Sequence, residues 1–277
     1  MKTAIGPITP GASPDPAALP SEWSAWSEEP GLAVRVEEDG DLLGVIHAVV
    51  VGQTEAWFEG LWVKPAARGR GVGRRLIAEA TSLVRGHGAT VVRTAVPARD
   101  YGALAVAERT GFARHCEAVV LVAEMPEGPI DLPYEAPVSA ATVKETATVT
   151  RLLEETPALR AWHGLVPLGW RFRRLVPELV QGLIRDGRAL RAAGGPEGAV
   201  LFAVRDEWAT ISVLAGPPAH RQALFGAVVE EARLAGAIRV AFFAPDAGAA
   251  AGLSAAFAPH PWCPDGLVIA QKSLAVG

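Results

Sequence analysis

The alternation of apolar and polar positions changes character along the chain. Leu32 to Val36, Leu42 to Val51 and Ala56 to Val63 are short apolar stretches rich in β-branched and aromatic residues. The polar turns Glu38-Asp39-Gly40-Asp41 and Gln53-Thr54 separate them, so three antiparallel strands in a meander are predicted. After Lys64-Pro65 the period lengthens. Leu76, Ile77, Ala80 and Leu83/Val84 recur at three- and four-residue spacing, one face of a helix over Gly73 to Gly86. Ala89 to Val96 is then a strand, Ala103 to Arg109 a helix closed by Gly111, and His115 to Glu124 a strand. A strand–helix–strand crossover favours a parallel pair, so the fold class is α/β (α+β) with a mixed sheet.

The first thirty residues carry many prolines with Trp23 and Trp26, and read as a loose lead-in holding one short helix at most. Residues 126–137 are dense in Pro and acidic side chains and read as a linker. Beyond it, helices are expected at Ala141–Glu155, Val166–Asp186 and Ala219–Leu234. Strands are expected at Ala189–Ala192, Ala199–Val204, Trp208–Leu214, Ile238–Phe243 and Leu267–Lys272, with a short helix before the last. The division is thus residues 1–125, the linker 126–137, and residues 138–277.

The two parts resemble each other. A shift of 148 positions lays Gly88-Ala89 on Gly236-Ala237 and Pro97 on Pro245 without a gap. Leu76, Ile77 and Ala80 then fall on Leu224, Phe225 and Val228, apolar in both copies. An internal duplication of a strand–loop–helix–strand unit accounts for this.

The chain has 277 residues, half of them hydrophobic and 20% charged, which excludes a disordered polymer. A net charge of −4 argues against a broad nucleic-acid or anionic-membrane surface. Cys116 and Cys263 stand alone with no metal-ligand spacing, and His163, His220 and His260 do not cluster, so no metal site is expected. The prolines of the N-terminus break any signal helix, and no stretch is long and apolar enough to span a bilayer. A cytoplasmic protein is expected, with no nucleic-acid or membrane partner, as a monomer or homodimer.

Chemistry concentrates in Trp62-Val63-Lys64-Pro65-Ala66-Ala67-Arg68-Gly69-Arg70-Gly71-Val72-Gly73-Arg74-Arg75. A strand ends, glycines recur at alternate positions, and a helix begins. Alternate glycines let successive N–H groups converge on one concavity, and the helix N-terminus adds unpaired donors and its positive dipole end. Four arginines surround it. A diphosphate suits this geometry. A P-loop would need Lys-Ser/Thr where Arg74-Arg75 stand, and a dinucleotide fingerprint would need a third glycine at Arg74.

The segment resembles the GCN5-related N-acetyltransferase (GNAT) family. The family pattern Arg/Gln-x-x-Gly-x-Gly/Ala is matched by Arg68, Gly71 and Gly73, preceded by Val63-x-Pro65. Its downstream Asn-x-x-Ala, Tyr and Gly-Phe correspond to Asp100, Ala103, Ala107 and Gly111-Phe112. The resemblance covers roughly Gly31 to Met125. It implies acetyl-CoA as cosubstrate, held by Arg68, Gly69, Arg70, Gly71, Val72, Gly73 and Arg74, with backbone contacts from Leu61, Trp62 and Val63 where the third meander strand splays from its neighbour. Two tandem GNAT-like domains follow, an acetyltransferase and a degenerate copy: Gly216, Pro217 and Pro218 replace the phosphate loop in the second, and prolines cannot donate.

Two departures bear on catalysis. Asp100 replaces an Asn that in relatives bonds the pantetheine arm, and a carboxylate lacks that donor. Ala107 replaces the Tyr that in many relatives protonates the departing thiolate; Tyr101 lies a turn or more away. By strand alternation Glu59, Leu61 and Val63 share a face, which makes Glu59 the candidate general base for an alkylammonium substrate. Glu55 and His47 are weaker alternatives, His47 reading as a core histidine. The expected reaction is acetyl transfer from acetyl-CoA to a primary amine of a small molecule. The alternatives are acetylation of a protein N-terminus or lysine, and a non-catalytic CoA-binding sensor or interaction module.

Overall fold

Val34, Val36, Ile46, Ala48, Ala56 and Phe58 occupy alternate strand positions and bury one apolar face against a helix carrying Val72, Leu76, Ile77, Ala80 and Val84. This core organises the first of two units in a computed structural model. The structure describes residues 2–6, 31–125, 128, 137–193, 197–205, 207–253 and 255–274. The lead-in around Trp23 and Trp26 and nearly all of the 126–137 linker lie outside them.

Unit 1 comprises residues 1–96, 100–114 and 269–277. Its strands are β1 (Lys2–Gly6), β2 (Leu32–Glu38), β3 (Asp41–Val50), β4 (Glu55–Val63) and β5 (Val91–Pro97), joined by helices α1 (Val72–Gly86) and α2 (Tyr101–Arg109). β1 to β4 pair antiparallel in sequence order, and β4 pairs β5 in parallel, the mixed sheet that the crossover implied. β1 was not legible in the sequence: five residues that end in Gly6 before Pro7 carry too short an alternation. The far C-terminal residues return to this unit. Leu274 donates its N–H to the Thr90 carbonyl, and Lys272 Nζ donates to the Thr110 carbonyl at 2.8 Å, a cation on an orphan carbonyl at the end of α2. Gly111 is left-handed at φ +88°, and the next N–H, of Phe112, closes on the Ala107 carbonyl, as the sequence predicted.

Unit 2 comprises residues 97–99 and 115–268. In chain order it uses β6 (Ala113–Glu124), β7 (Val138–Ala140), α3 (Thr146–Glu154), α4 (Pro157–Ala161), β8 (Leu165–Leu168), β9 (Arg171–Arg174), α5 (Pro177–Arg185) and β10 (Ala189–Ala192). β11 (Gly198–Arg205), β12 (Trp208–Ala215), α6 (Pro218–Leu234), β13 (Arg239–Ala244), β14 (Ala258–Pro259) and β15 (Leu267–Ser273) follow, β15 carrying the chain back to unit 1 at Ile269. The sheet runs β6-β13-β12-β11-β10-β7, with β12 and β13 parallel and the other pairs antiparallel. Its core packs Leu224, Phe225, Val228 and Val229 of α6 on Val200, Phe202, Ile211 and Phe242.

One predicted helix is corrected. Val166–Asp186 is not continuous: β8 and β9 form an antiparallel hairpin and only Pro177–Arg185 is helical. Gly169, at φ +61°, makes the turn, and Pro167 has no N–H for a helix interior. The apolar positions that mimicked a helical face belong to two short strands.

The helix residues overlaid at 148 positions make like contacts in both units, with strand glycines that lie 154 positions apart. A Cβ on Gly44 of β3 would lie 3.1 Å from both Leu76 Cδ1 and Val72 Cγ1; a Cβ on Gly198 of β11 would lie 3.1 Å from Leu224 Cδ1 and 3.2 Å from His220 Cβ. Leu76/Leu224 and Val72/His220 are the overlaid pairs. In both units a glycine strand position lets the helix approach the sheet closely.

Candidate active site

β4 and β5 are paired only over Glu55↔Val91, Ala56↔Val92 and Trp57↔Arg93, although β4 continues to Val63 and β5 to Pro97. From Phe58 onward the two strands part. Opposite, β3 pairs β4 as Gly44↔Val63 and Val45↔Trp62, then His47↔Glu59. One residue of β3, Ile46, thus faces two of β4, Gly60 and Leu61. The extra residue is a β-bulge, and Gly60 supplies the positive φ of 62° within it.

The bulge overturns the alternation read from the sequence. Val63 pairs with Gly44 and packs on the α1 side, beside the core that holds Phe58. Glu59 pairs with His47 on the opposite face, the face of Val45 and Trp62. Glu59 and Val63 therefore do not share a face, because one inserted residue reverses every later side chain. Leu61, in the bulge region, is 38% exposed.

His47 is 1% exposed, and its Nδ1 lies 2.8 Å from Glu59 Oε1. An ionised carboxylate only accepts, so Nδ1 carries the proton. The imidazole fits because residue 31 is glycine: a Cβ there would stand 2.2 Å from His47 Nε2. Sequence reasoning took His47 as a core histidine and set it apart from Glu59; the cross-strand register joins them. Glu55 has another task. It accepts from Arg93 Nη1 at 2.6 Å, and Arg93 Nε donates to Gln271 Oε1 at 2.7 Å. Arg93 is 4% exposed, so this is a buried structural ion pair at the last paired position before the strands part.

After β4, Pro65–Ala67 form one 3-10 turn that buries Ala67, and Arg68 returns to extended backbone. Gly69 and Gly71 are both left-handed, at φ 76° and 82°. Gly71 is the N-cap of α1 and has no capping side chain, so the N–H groups of Val72, Gly73 and Arg74 have no intrahelical acceptor. Nothing lies within 4 Å of a Cβ placed on Gly69, and only Arg74 Nη2, at 3.5 Å, near one on Gly71. This open concavity of unspent donors is the cradle that a side chain would fill. Val72 is buried at 1%, anchoring the first turn, and a Cβ placed on Gly73 would lie 3.7 Å from Val63 Cγ2.

The arginines divide. Arg68 Nε donates to the Val63 carbonyl at 3.2 Å and ties the loop to the strand end. Arg70 Nη2 pairs with Glu38 Oε2 at 2.7 Å, and that hydrogen bond and charge hold the Glu38 carboxyl below its ordinary value. Arg74 is exposed with its guanidinium near Gly71. The structure thus brings Arg68, Gly69, Arg70, Gly71, Val72, Gly73 and Arg74 around one helix N-terminus. Asp100 is the N-cap of α2, accepting from the Ala103 N–H at 2.9 Å. Ala107 is buried in the core beside Phe112, and Tyr101 is 73% exposed.

Among the described residues of unit 2 the corresponding helix start forms no such cradle. A Cβ on Gly216 would collide with Gly198 Cα at 2.9 Å, and Pro217 and Pro218 cap α6 without N–H donors. Among the described residues no group of three or more His, Cys, Asp or Glu gathers as a metal site would, and no helix is long and apolar enough to cross a membrane.

Residues 5–112 match the profile of the acetyltransferase (GNAT) family. A tandem GNAT protein from the clavulanic acid biosynthesis pathway, solved without AcCoA, superposes with a TM-score of 0.51 at 18% identity, over 89% of this chain and 84% of that one. A GCN5-related N-acetyltransferase from Sphaerobacter thermophilus gives 0.56 at 16% identity, over 92% and 85%. An acetyltransferase from Thermoplasma acidophilum described as putative gives 0.53 at 16%, over 87% and 78%. No curated protein matches the chain in sequence. Residues 5–112 thus match a GNAT acetyltransferase domain, and the chain as a whole shares the fold of a tandem GNAT protein. The chemistry of the family is acyl transfer from acyl-CoA.

Proposed function

We propose that unit 1 transfers the acetyl group of acetyl-CoA to a primary amine of a small molecule, and that unit 2 is a degenerate copy that does not bind CoA. The observation that carries this is the open Gly69/Gly71 concavity at the N-terminus of α1, beside the strand edge where β4 leaves β5. Its residues fit a diphosphate: the N–H groups of Val72, Gly73 and Arg74 donate, the dipole end of α1 favours the anion, and Arg68, Arg70 and Arg74 supply charge. The β4 edge over Leu61, Trp62 and Val63 offers extended backbone to the amide-bearing arm.

An alkylammonium of pKa ~10 loses its proton before its nitrogen can attack a thioester carbonyl. Glu59 takes that proton, directly or through one water. The new C–N bond forms, the C–S bond breaks with the sulfur leaving as a thiolate, and the proton that the nitrogen sheds on becoming an amide passes to that thiolate through solvent. A thiol of pKa ~8.5 is a tolerable leaving group without a fixed acid, which is the circumstance that Ala107 creates. Alignment of amine and thioester supplies much of the rate.

The burial of Ala107 at the usual Tyr position also favours one second reading, a CoA-binding sensor. Release of free CoA from acetyl-CoA, measured across a panel of small primary amines and a lysine-containing peptide, separates them. Turnover with a small amine is the expected result. Turnover with the peptide alone moves the acceptor to protein, and binding without turnover assigns the sensor.

A further inference from the structure

We propose that His47 is a positioning residue for Glu59: its Nδ1–H fixes the carboxylate in the direction from which the acceptor amine is deprotonated. The inference rests on Glu59 acting as the base of the proposed reaction. It stands on three observations. The two residues are register partners across β3 and β4, so backbone pairing sets their approach. The bond is 2.8 Å long and its imidazole is 1% exposed, out of competition with bulk water. The bulge at Gly60 begins one residue after Glu59, so the strand that carries the base changes direction immediately beyond it.

The arrangement solves a specific difficulty. A glutamate on a strand has three side-chain torsions, and a freely rotating carboxylate spends little time at the geometry that proton transfer needs. Holding Oε1 on a buried donor removes that freedom and fixes the orientation of the carboxylate. The donor must itself be rigid. Its ring lies against the backbone of Gly31, where any side chain would collide, and its β3 neighbours Ile46 and Ala48 are buried. Glu55, the other acidic residue at the start of β4, is held by buried Arg93 and takes no part.

Two acceptors distinguish positioning from simple structural support. n-Propylamine is protonated at pH 7.5 and needs a base, whereas hydroxylamine is neutral there and does not. Free CoA released from acetyl-CoA is followed for the wild type, His47→Ala, His47→Asn and Glu59→Gln. In His47→Ala, turnover of n-propylamine is expected to fall about tenfold or more while hydroxylamine stays within about threefold, since a positioned base contributes roughly 10²–10⁴. His47→Asn, whose amide can donate from near the Nδ1 position, is expected to recover most of the n-propylamine rate. Equal losses with both acceptors, or no recovery in His47→Asn, would overturn the positioning role. Full n-propylamine activity in Glu59→Gln would remove the base on which it depends. A wild type that turns over neither acceptor counts against the transferase reading itself, and so against both.

Discussion

Gly88 and Gly236 stand 148 positions apart and hold the same backbone torsion, φ +86°, at the C-terminal ends of α1 and α6. Gly88 donates to the Arg85 carbonyl and Ala89 to Val84; Gly236 donates to Arg233 and Ala237 to Ala232. The duplication thus extends to individual hydrogen bonds. A Cβ on Gly236 would meet nothing within 4 Å, and one on Gly88 only the Gln53 carbonyl at 4.0 Å. Each glycine is required by conformation and not by packing. Gly88→Ala and Gly236→Ala should each lower stability by roughly 1–2 kcal/mol, the strain of a left-handed non-glycine residue. Urea unfolding of the full chain measures both, and losses below a few tenths would contradict the shared termination.

Arg70 is engaged by a carboxylate that an incoming diphosphate would have to displace. Glu38→Gln keeps the side-chain size and removes that competitor. Acetyl-CoA should then bind about two- to fivefold tighter at low salt, with the gain shrinking as salt is raised, as for an exposed pair. Titration calorimetry at two ionic strengths reads the effect. Weaker binding in the variant would show that Glu38 organises Arg70 for the ligand instead of withholding it.

The C-terminal residues are part of unit 1. Gln271 Oε1 accepts from Arg93 Nε inside the sheet, and Leu274 closes on Thr90. Gln271→Ala leaves a buried guanidinium N–H without this acceptor and should cost about 1–3 kcal/mol. Hydrogen exchange should localise the loss to β5 and the start of β4. Uniform protection with unchanged melting would contradict the assignment of residues 269–277 to this unit.

The capping box before α3 gives unit 2 a pH-dependent element. Glu145 Oε2 accepts from the Thr142 N–H and hydroxyl at 2.8 Å each, and Arg191 pairs with the same carboxylate. These contacts, led by the Thr142 backbone bond, lower its pKa. The unfolded chain therefore takes up this proton first as pH falls. The stabilisation is complete above the unfolded glutamate value, ~4.3, and is lost as pH drops through the lower folded value. Glu145→Gln should melt below the wild type by a constant margin above pH 5, and the margin should close below pH 4. A margin that widens on acidification would contradict the sign.

Much of this was legible in the sequence because it depends on local chemistry. Alternate glycines followed by an apolar helical stripe located the cradle, and Gly111 marked a helix end. Long-range pairing was less accessible. The bulge at Gly60 adds one residue to a ladder whose partner strand must be known, so alternation carried Glu59 and Val63 to one face when register separates them. The same register joins His47 to Glu59 across 12 positions, which no local pattern announces. Asp100, read only as a departure that removes an amide donor, also caps α2 through a carboxylate oxygen, a role set by the position of the Ala103 N–H. The segment Val166–Asp186 misled because two short strands and a helix, joined in series, share the apolar spacing of one long helix.

On the proposed function, the Gly69/Gly71 concavity of unit 1 holds the diphosphate of acetyl-CoA, and unit 2 has no equivalent. Calorimetric titration of the full chain with acetyl-CoA, beside Gly71→Glu and Pro218→Ala, tests it most directly. One site per chain is expected, with affinity falling about 100-fold or more in Gly71→Glu, where a strained backbone and a like charge fill the cradle, and unchanged in Pro218→Ala. Absence of binding in the wild type, or equal binding in Gly71→Glu, would contradict it.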